Sequence, residues 1–86
     1  MMNLIFNNVP HKSGEKKSIN LTIDYCMVTW NVIFEFLMER TGFHEKQFKL
    51  SVKNNYYTLN ELLEKSSFCE TFEYEEFIDF NVKICI

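Results

Sequence analysis

The sequence predicts an α+β fold in which one main helix packs across a mixed sheet of four to five strands. Two observations carry this. Several short segments alternate apolar and polar residues with the period of two that a half-buried strand requires, and one segment, about 28–41, repeats its apolar residues at helical spacing. A third observation bounds the answer. With 86 residues, 47% hydrophobic, and a net charge of −3, the chain is one domain, 1–86, with enough apolar content for a core. That composition excludes an intrinsically disordered chain, and 2 Gly with 1 Pro exclude a collagen-like or linker-like one.

The elements follow in order. Residues 2–9 read as a strand with Leu4 and Phe6 on one face, and Pro10, which has no N–H to donate, is expected to end it. Residues 11–17 are a polar, basic loop containing Gly14. Residues 18–24 form a second strand, with Ile19, Leu21 and Ile23 inward and Ser18, Asn20 and Thr22 outward, so the two strands make a hairpin. The period then changes. Thr29 is the expected N-cap, or Asp24 if the helix starts early, and Trp30, Ile33, Phe34, Leu37 and Thr41 share one face. Gly42 suits a left-handed C-cap. The β-branched and aromatic content gives this helix modest intrinsic propensity, so packing against the sheet must hold it.

Phe48, Leu50 and Val52 alternate with Lys49, Ser51 and Lys53 in a third strand. Asn54-Asn55 is a turn pair, 56–58 a short fourth strand, and 60–64 a helical turn. Residues 66–79 are an acidic-aromatic insertion, open between an added strand and an anchored loop. Phe68, Phe72, Tyr74 and Phe77 interleave there with Glu70, Glu73, Glu75, Glu76 and Asp79. The last strand is 80–86, with Phe80, Val82, Ile84 and Ile86 on one face. The expected core is Leu4, Phe6, Ile19, Leu21, Ile23, Trp30, Ile33, Leu37, Phe43, Leu50, Leu59, Val82 and Ile84. Burying that many large side chains is worth tens of kcal/mol gross, on the order of ~1.5–3 kcal/mol each, most of it offset by conformational entropy.

No motif for chemistry emerges. Cys26, Cys69 and Cys85 are odd in number and widely spaced, which fits a reducing compartment better than a disulfide scaffold, and no C-x-x-C pair suggests zinc. His11 and His44 sit in polar stretches and read as surface histidines. No metal, cofactor or catalytic residue is assigned. Glu73, Glu75 and Glu76 could split their pKa values in an apolar cleft, but a one-helix domain has little room for one. A pI near 5.3 argues against nucleic acid as a partner. The chain has no run of eighteen apolar residues and no basic-then-apolar leader, so neither a membrane nor secretion is expected.

The order and spacing resemble the ubiquitin-like β-grasp family over residues 2–65 and 80–86. Ser18-Ile19-Asn20-Leu21-Thr22-Ile23 is similar to the family's second strand, and Thr29-Trp30-Asn31-Val32-Ile33 through Leu37 to its helix start. Thr41-Gly42-Phe43-His44-Glu45-Lys46-Gln47-Phe48-Lys49-Leu50 is similar to its helix exit and third strand, and Thr58-Leu59-Asn60-Glu61 to its Thr-Leu-Ser-Asp step. A PB1-like or Ras-binding module is the nearest alternative within that fold, and another small α+β sandwich the nearest outside it. The departures bear on function. The sequence ends Ile84-Cys85-Ile86 without the diglycine that conjugated members use, so conjugation to targets is not expected. In the family's register Ser51 stands at the central apolar position of its recognition patch and Lys83 at a valine on the last strand. Receptors of that patch are therefore not expected to read this chain.

The expected function is a non-catalytic intracellular protein–protein interaction module. Its expected partner contacts are Val32 and Phe36 on the helix, Lys49, Ser51 and Lys83 on the open sheet face, and Glu73, Glu75 and Glu76 in the insertion. Val32 and Phe36, spaced i, i+4 and about 180° from the core stripe, are expected either to dock a partner or to lie beneath 66–79. The acidic cluster either meets a basic groove or is a solvated face. Lys12, Lys16 and Lys17 lie in the hairpin loop, where a solvated tip is the plain reading and strand addition of the Ras-binding kind the functional one. One of Tyr56 and Tyr57 should pack and the other face water. The partner is another protein of unassigned identity, and oligomeric state is left open. Alternative functions are a small subunit or adaptor of a fixed complex, and a pathogen- or virus-encoded effector with a host-like fold.

Overall fold

A computed structural model describes residues 1–11, 13–73 and 75–84. Among these residues five strands, three α-helices and two 3-10 turns follow one another as β1 (Met2–Pro10), β2 (Lys16–Ile23), a turn at Tyr25–Met27, α1 (Trp30–Thr41), a turn at Glu45–Gln47, β3 (Phe48–Val52), β4 (Asn55–Tyr57), α2 (Leu59–Lys65), α3 (Phe68–Thr71) and β5 (Phe77–Ile84). The fold is α+β, as the periodicity predicts. The sheet order is β2-β1-β5-β3-β4, with β1 and β5 parallel at the centre and the other neighbours antiparallel. Helix content exceeds the expectation: α2 and α3 accompany α1, where a helical turn and an undecided insertion were expected.

The local signals for α1 act as predicted. The Thr29 hydroxyl accepts from the Val32 N–H at 3.1 Å, and Gly42 sits at φ 81 with its N–H on the Met38 carbonyl. An L side chain is strained at that φ, which is why glycine ends the helix here. Trp30, Ile33, Phe34, Leu37 and Thr41 are buried as a stripe. In β1 the pairing passes from Phe6↔Ile19 to Val9↔Lys17, an extra residue that Asn8 absorbs at φ 58. This bulge returns Val9 to the core face, where it is wholly buried, and carries the strand through Pro10. The β3–β4 turn is centred on Lys53 and Asn54, both at positive φ, one residue earlier than the expected Asn54-Asn55. A two-residue hairpin turn needs positive φ at both central positions.

The question left open for residues 66–79 is answered in part, because Phe68 and Ile78 of this segment belong to the core. Phe68 on α3 is buried, its ring 5.0 Å from that of Trp30, and Phe72 stands edge-on to Phe80 at 5.7 Å. The Trp30 indole N–H donates to the Ser66 carbonyl at 2.9 Å, fixing the chain just before α3. β5 begins at Phe77, three residues before the expected start, because Ile78 continues the inward row of Phe80 and Val82. The correction to the expected core concerns five residues. Ile19, Leu21, Ile23, Phe43 and Ile84 are only partly buried against the core. Expected features at Lys12, Tyr74, Cys85 and Ile86 lie outside the described residues. No helix among the described residues is long and apolar enough to cross a membrane.

Candidate functional site

β2 lies at one edge of the sheet, with β1 on one side and, among the described residues, no strand on the other. Its inward residues Ile23, Leu21 and Ile19 face Met2, Leu4 and Phe6 across the pair. The β1 residues are buried at 0–2% exposure, whereas their β2 partners are only half-buried. The core thus covers β1 fully and β2 only in part. A row of three branched apolar side chains is left half-covered beside an unpaired backbone edge.

Val32 and Phe36 do not form an exposed ridge opposite the core. Both are half-buried, and the Phe36 ring lies 5.8 Å from Phe6 with the Arg40 guanidinium 5.1 Å above it. The reason is angular. Phe36 is one residue, about 100°, from the buried Leu37, and its length lets it reach down the flank of α1 onto β1. Phe6 is the partner of Ile19, so this flank borders the half-covered row. Of the insertion's described aromatics, Phe68 and Phe72 pack on Trp30 and Phe80.

The open sheet face gathers a different set. Lys49 stands opposite Lys83, the Ser51 hydroxyl accepts from the Asn81 N–H at 3.0 Å, and the Lys83 ammonium lies 5.5 Å from the Tyr56 ring centre. A polar ladder crosses β2, β1 and β5. Thr22 donates to Asn3 at 3.0 Å, Ser18 to Asn7 at 3.1 Å, and the Asn7 amide to Asp79 at 3.4 Å. Tyr56 is exposed and Tyr57 half-buried, the division expected of that pair. Glu73, Glu75 and Glu76 are exposed ahead of β5, where the Glu76 carbonyl accepts from the Asn3 N–H at 2.7 Å. Lys83 lies at the far end of the same strand, about 20 Å away at extended rise. The expected contact residues thus fall on three separate surfaces, and the structure brings only Lys49, Ser51 and Lys83 together.

The basic segment is also placed differently. Lys16 and Lys17 are the first residues of β2 and exposed, with Lys17 paired to Glu15 at 3.1 Å. The loop reading missed this because only the strand pairing extends β2 back to Lys16. At the other end Asp24 leads into the Tyr25–Met27 turn without a side-chain capping bond.

The cavities are small. One of about 220 Å³ is lined by Val52, Lys53, Tyr57, Leu62, Lys65, Ser66, Glu70 and Thr71. Four of its polar side chains pair off: Lys65 donates to the Tyr57 hydroxyl at 3.1 Å, and the Ser66 and Thr71 hydroxyls lie 2.7 Å apart. Another of about 160 Å³ lies between Glu45, Lys46 and Thr58, Leu59, Asn60. Both fall below the roughly 300 Å³ at which small-molecule pockets begin. No group of three His, Cys, Asp or Glu side chains is placed to hold a metal among the described residues. Cys26 is an exposed free thiol and Cys69 a half-buried one. Compared with protein-family models and with curated proteins, the chain matches none.

Proposed function

We propose that this chain is a non-catalytic, intracellular protein-interaction domain with a ubiquitin-like β-grasp fold. The fold reading is supported by the strand order, by the parallel β1–β5 pair at the centre, and by a capped helix between the second and third strands. Free thiols at Cys26 and Cys69 suit a reducing compartment.

One observation carries the interaction reading: the half-covered row of Ile19, Leu21 and Ile23 beside the unpaired edge of β2. An edge strand offers a ladder of N–H and C=O groups to an incoming strand, and alternate side chains of that strand find whatever apolar surface adjoins it. The occupant is an extended segment with apolar residues at alternate positions and an acidic residue beside Lys16. Phe36 and Val32 flank its path. Lys49, Ser51 and Lys83 form a polar, basic face that a larger partner would meet at its rim.

Selection of displayed peptides on the wild-type chain and on Leu21→Thr tests this. Leu21→Thr keeps strand propensity and removes apolar surface from the middle of the row. The expected result is enrichment of alternating apolar sequences with an acid near one end on the wild type and their loss on Leu21→Thr. Peptides that bind both chains equally would contradict the edge reading.

A further inference from the structure

We infer that the strand received by β2 is the β2 of a second copy of this chain, paired antiparallel about a two-fold axis at Asn20. This rests on the edge reading above and names its occupant.

β2 is self-complementary. Lys16, Ser18, Asn20 and Thr22 point to the open face with Asp24 next in step, and Lys17, Ile19, Leu21 and Ile23 point to the helix side. A two-fold turn about Asn20 sets Lys16 against Asp24, Ser18 against Thr22 and Asn20 against itself on the open face. On the helix side it sets Ile19 against Leu21 and Lys17 against Ile23. Each half-covered apolar row is then continued by its copy, the lysine stem of residue 17 lies along an isoleucine, and opposite charges close both ends. Asp24 is exposed, keeps extended backbone at ψ 137 and makes no capping bond, and neither Asp24 nor Lys16 enters an ion pair among the described residues. Slipping the pair by two residues in either direction takes Asp24 away from Lys16.

Edge lysines ordinarily keep other strands off. Here Lys16 admits a strand that brings an acid to the mirrored position, and β2 carries that acid itself. The same residues thus reject most strands and accept their own copy.

Sedimentation velocity of the full chain over a range of concentrations tests the proposal. The wild type should form a reversible dimer. Lys16→Glu and Asp24→Lys each turn two attractive pairs into two repulsive ones, and each should weaken the dimer about tenfold. An equimolar mixture of the two variants should recover wild-type affinity, because in the mixed pair every introduced charge faces an opposite one. Both positions are exposed, so the core is untouched. A wild-type chain that remains monomeric up to about 1 mM, or a mixture no tighter than its separate variants, overturns the proposal. Peptide selection on the Asp24→Lys chain, whose edge is free and which keeps Lys16, judges the edge reading separately. Peptides bound through β2 by a chain that never dimerises overturn the second copy alone, and the absence of both overturns the two together.

Discussion

Glu61 shows how much one residue contributes to a terminus. Its carboxylate accepts from the Thr58 N–H at 2.9 Å while its own N–H donates to the Thr58 hydroxyl at 3.2 Å, a reciprocal capping box that starts α2. The bond from the Thr58 backbone, then that from its hydroxyl, then the charge of Lys49 hold the Glu61 carboxyl below its ordinary value. A carboxyl lowered in the folded state adds stability that is complete above its unfolded value and disappears as pH falls through the lowered one. Glu61→Gln keeps an acceptor but cannot titrate. Its thermal midpoint should therefore fall less steeply than that of the wild type as pH drops from neutral into the carboxylate range. Parallel curves would contradict this. The box was half legible: Thr58-Leu59-Asn60-Glu61 stands in the sequence as a resemblance, but the bond that gives it force needs the backbone of Thr58 turned toward the carboxylate.

At the level of the element, α3 decides how the core closes. Its four residues cannot hold a helix alone. Ser67 caps it through the Glu70 N–H, and Phe68 inserts beside Trp30 and Phe80. Phe68→Ala should cost about 3–5 kcal/mol of stability in urea unfolding, as expected for a large buried aromatic. A loss of about 1 kcal/mol or less would show that the segment is appended to the core and not part of it. This element was hidden in the sequence for a physical reason. Glu70, Glu73, Glu75 and Glu76 dilute the aromatics, and neither period of two nor of 3.6 runs long enough to register. By contrast α1 was legible from Thr29 to Gly42, because cap, stripe and glycine agree. β5 was legible only from Phe80. The outward Phe77, 67% exposed, breaks the alternation that Ile78 would otherwise continue.

For the whole molecule, the sheet order separates what is buried from what is offered. The central pair β1–β5 carries the core, and β2 carries the same apolar period outward to an edge where the row is only partly buried. The alternation of Ile19, Leu21 and Ile23 placed them in the core, because period alone cannot tell a central strand from an edge one. The position of Phe36 was likewise set by the flank of α1 and the reach of its ring, which a helical wheel of fixed radius does not represent. Residue-resolved amide hydrogen exchange, with and without the tightest peptide selected on the wild type, tests the central claim most directly. In the free chain, held at a concentration where it is monomeric, β1 and β5 amides should be the best protected and those of β2 that point away from β1 the least. Bound peptide should slow those β2 amides and leave the segment around Ser51 and Lys83 unchanged. Protection that appears around Ser51 and Lys83, with β2 unaltered, would contradict docking at the edge.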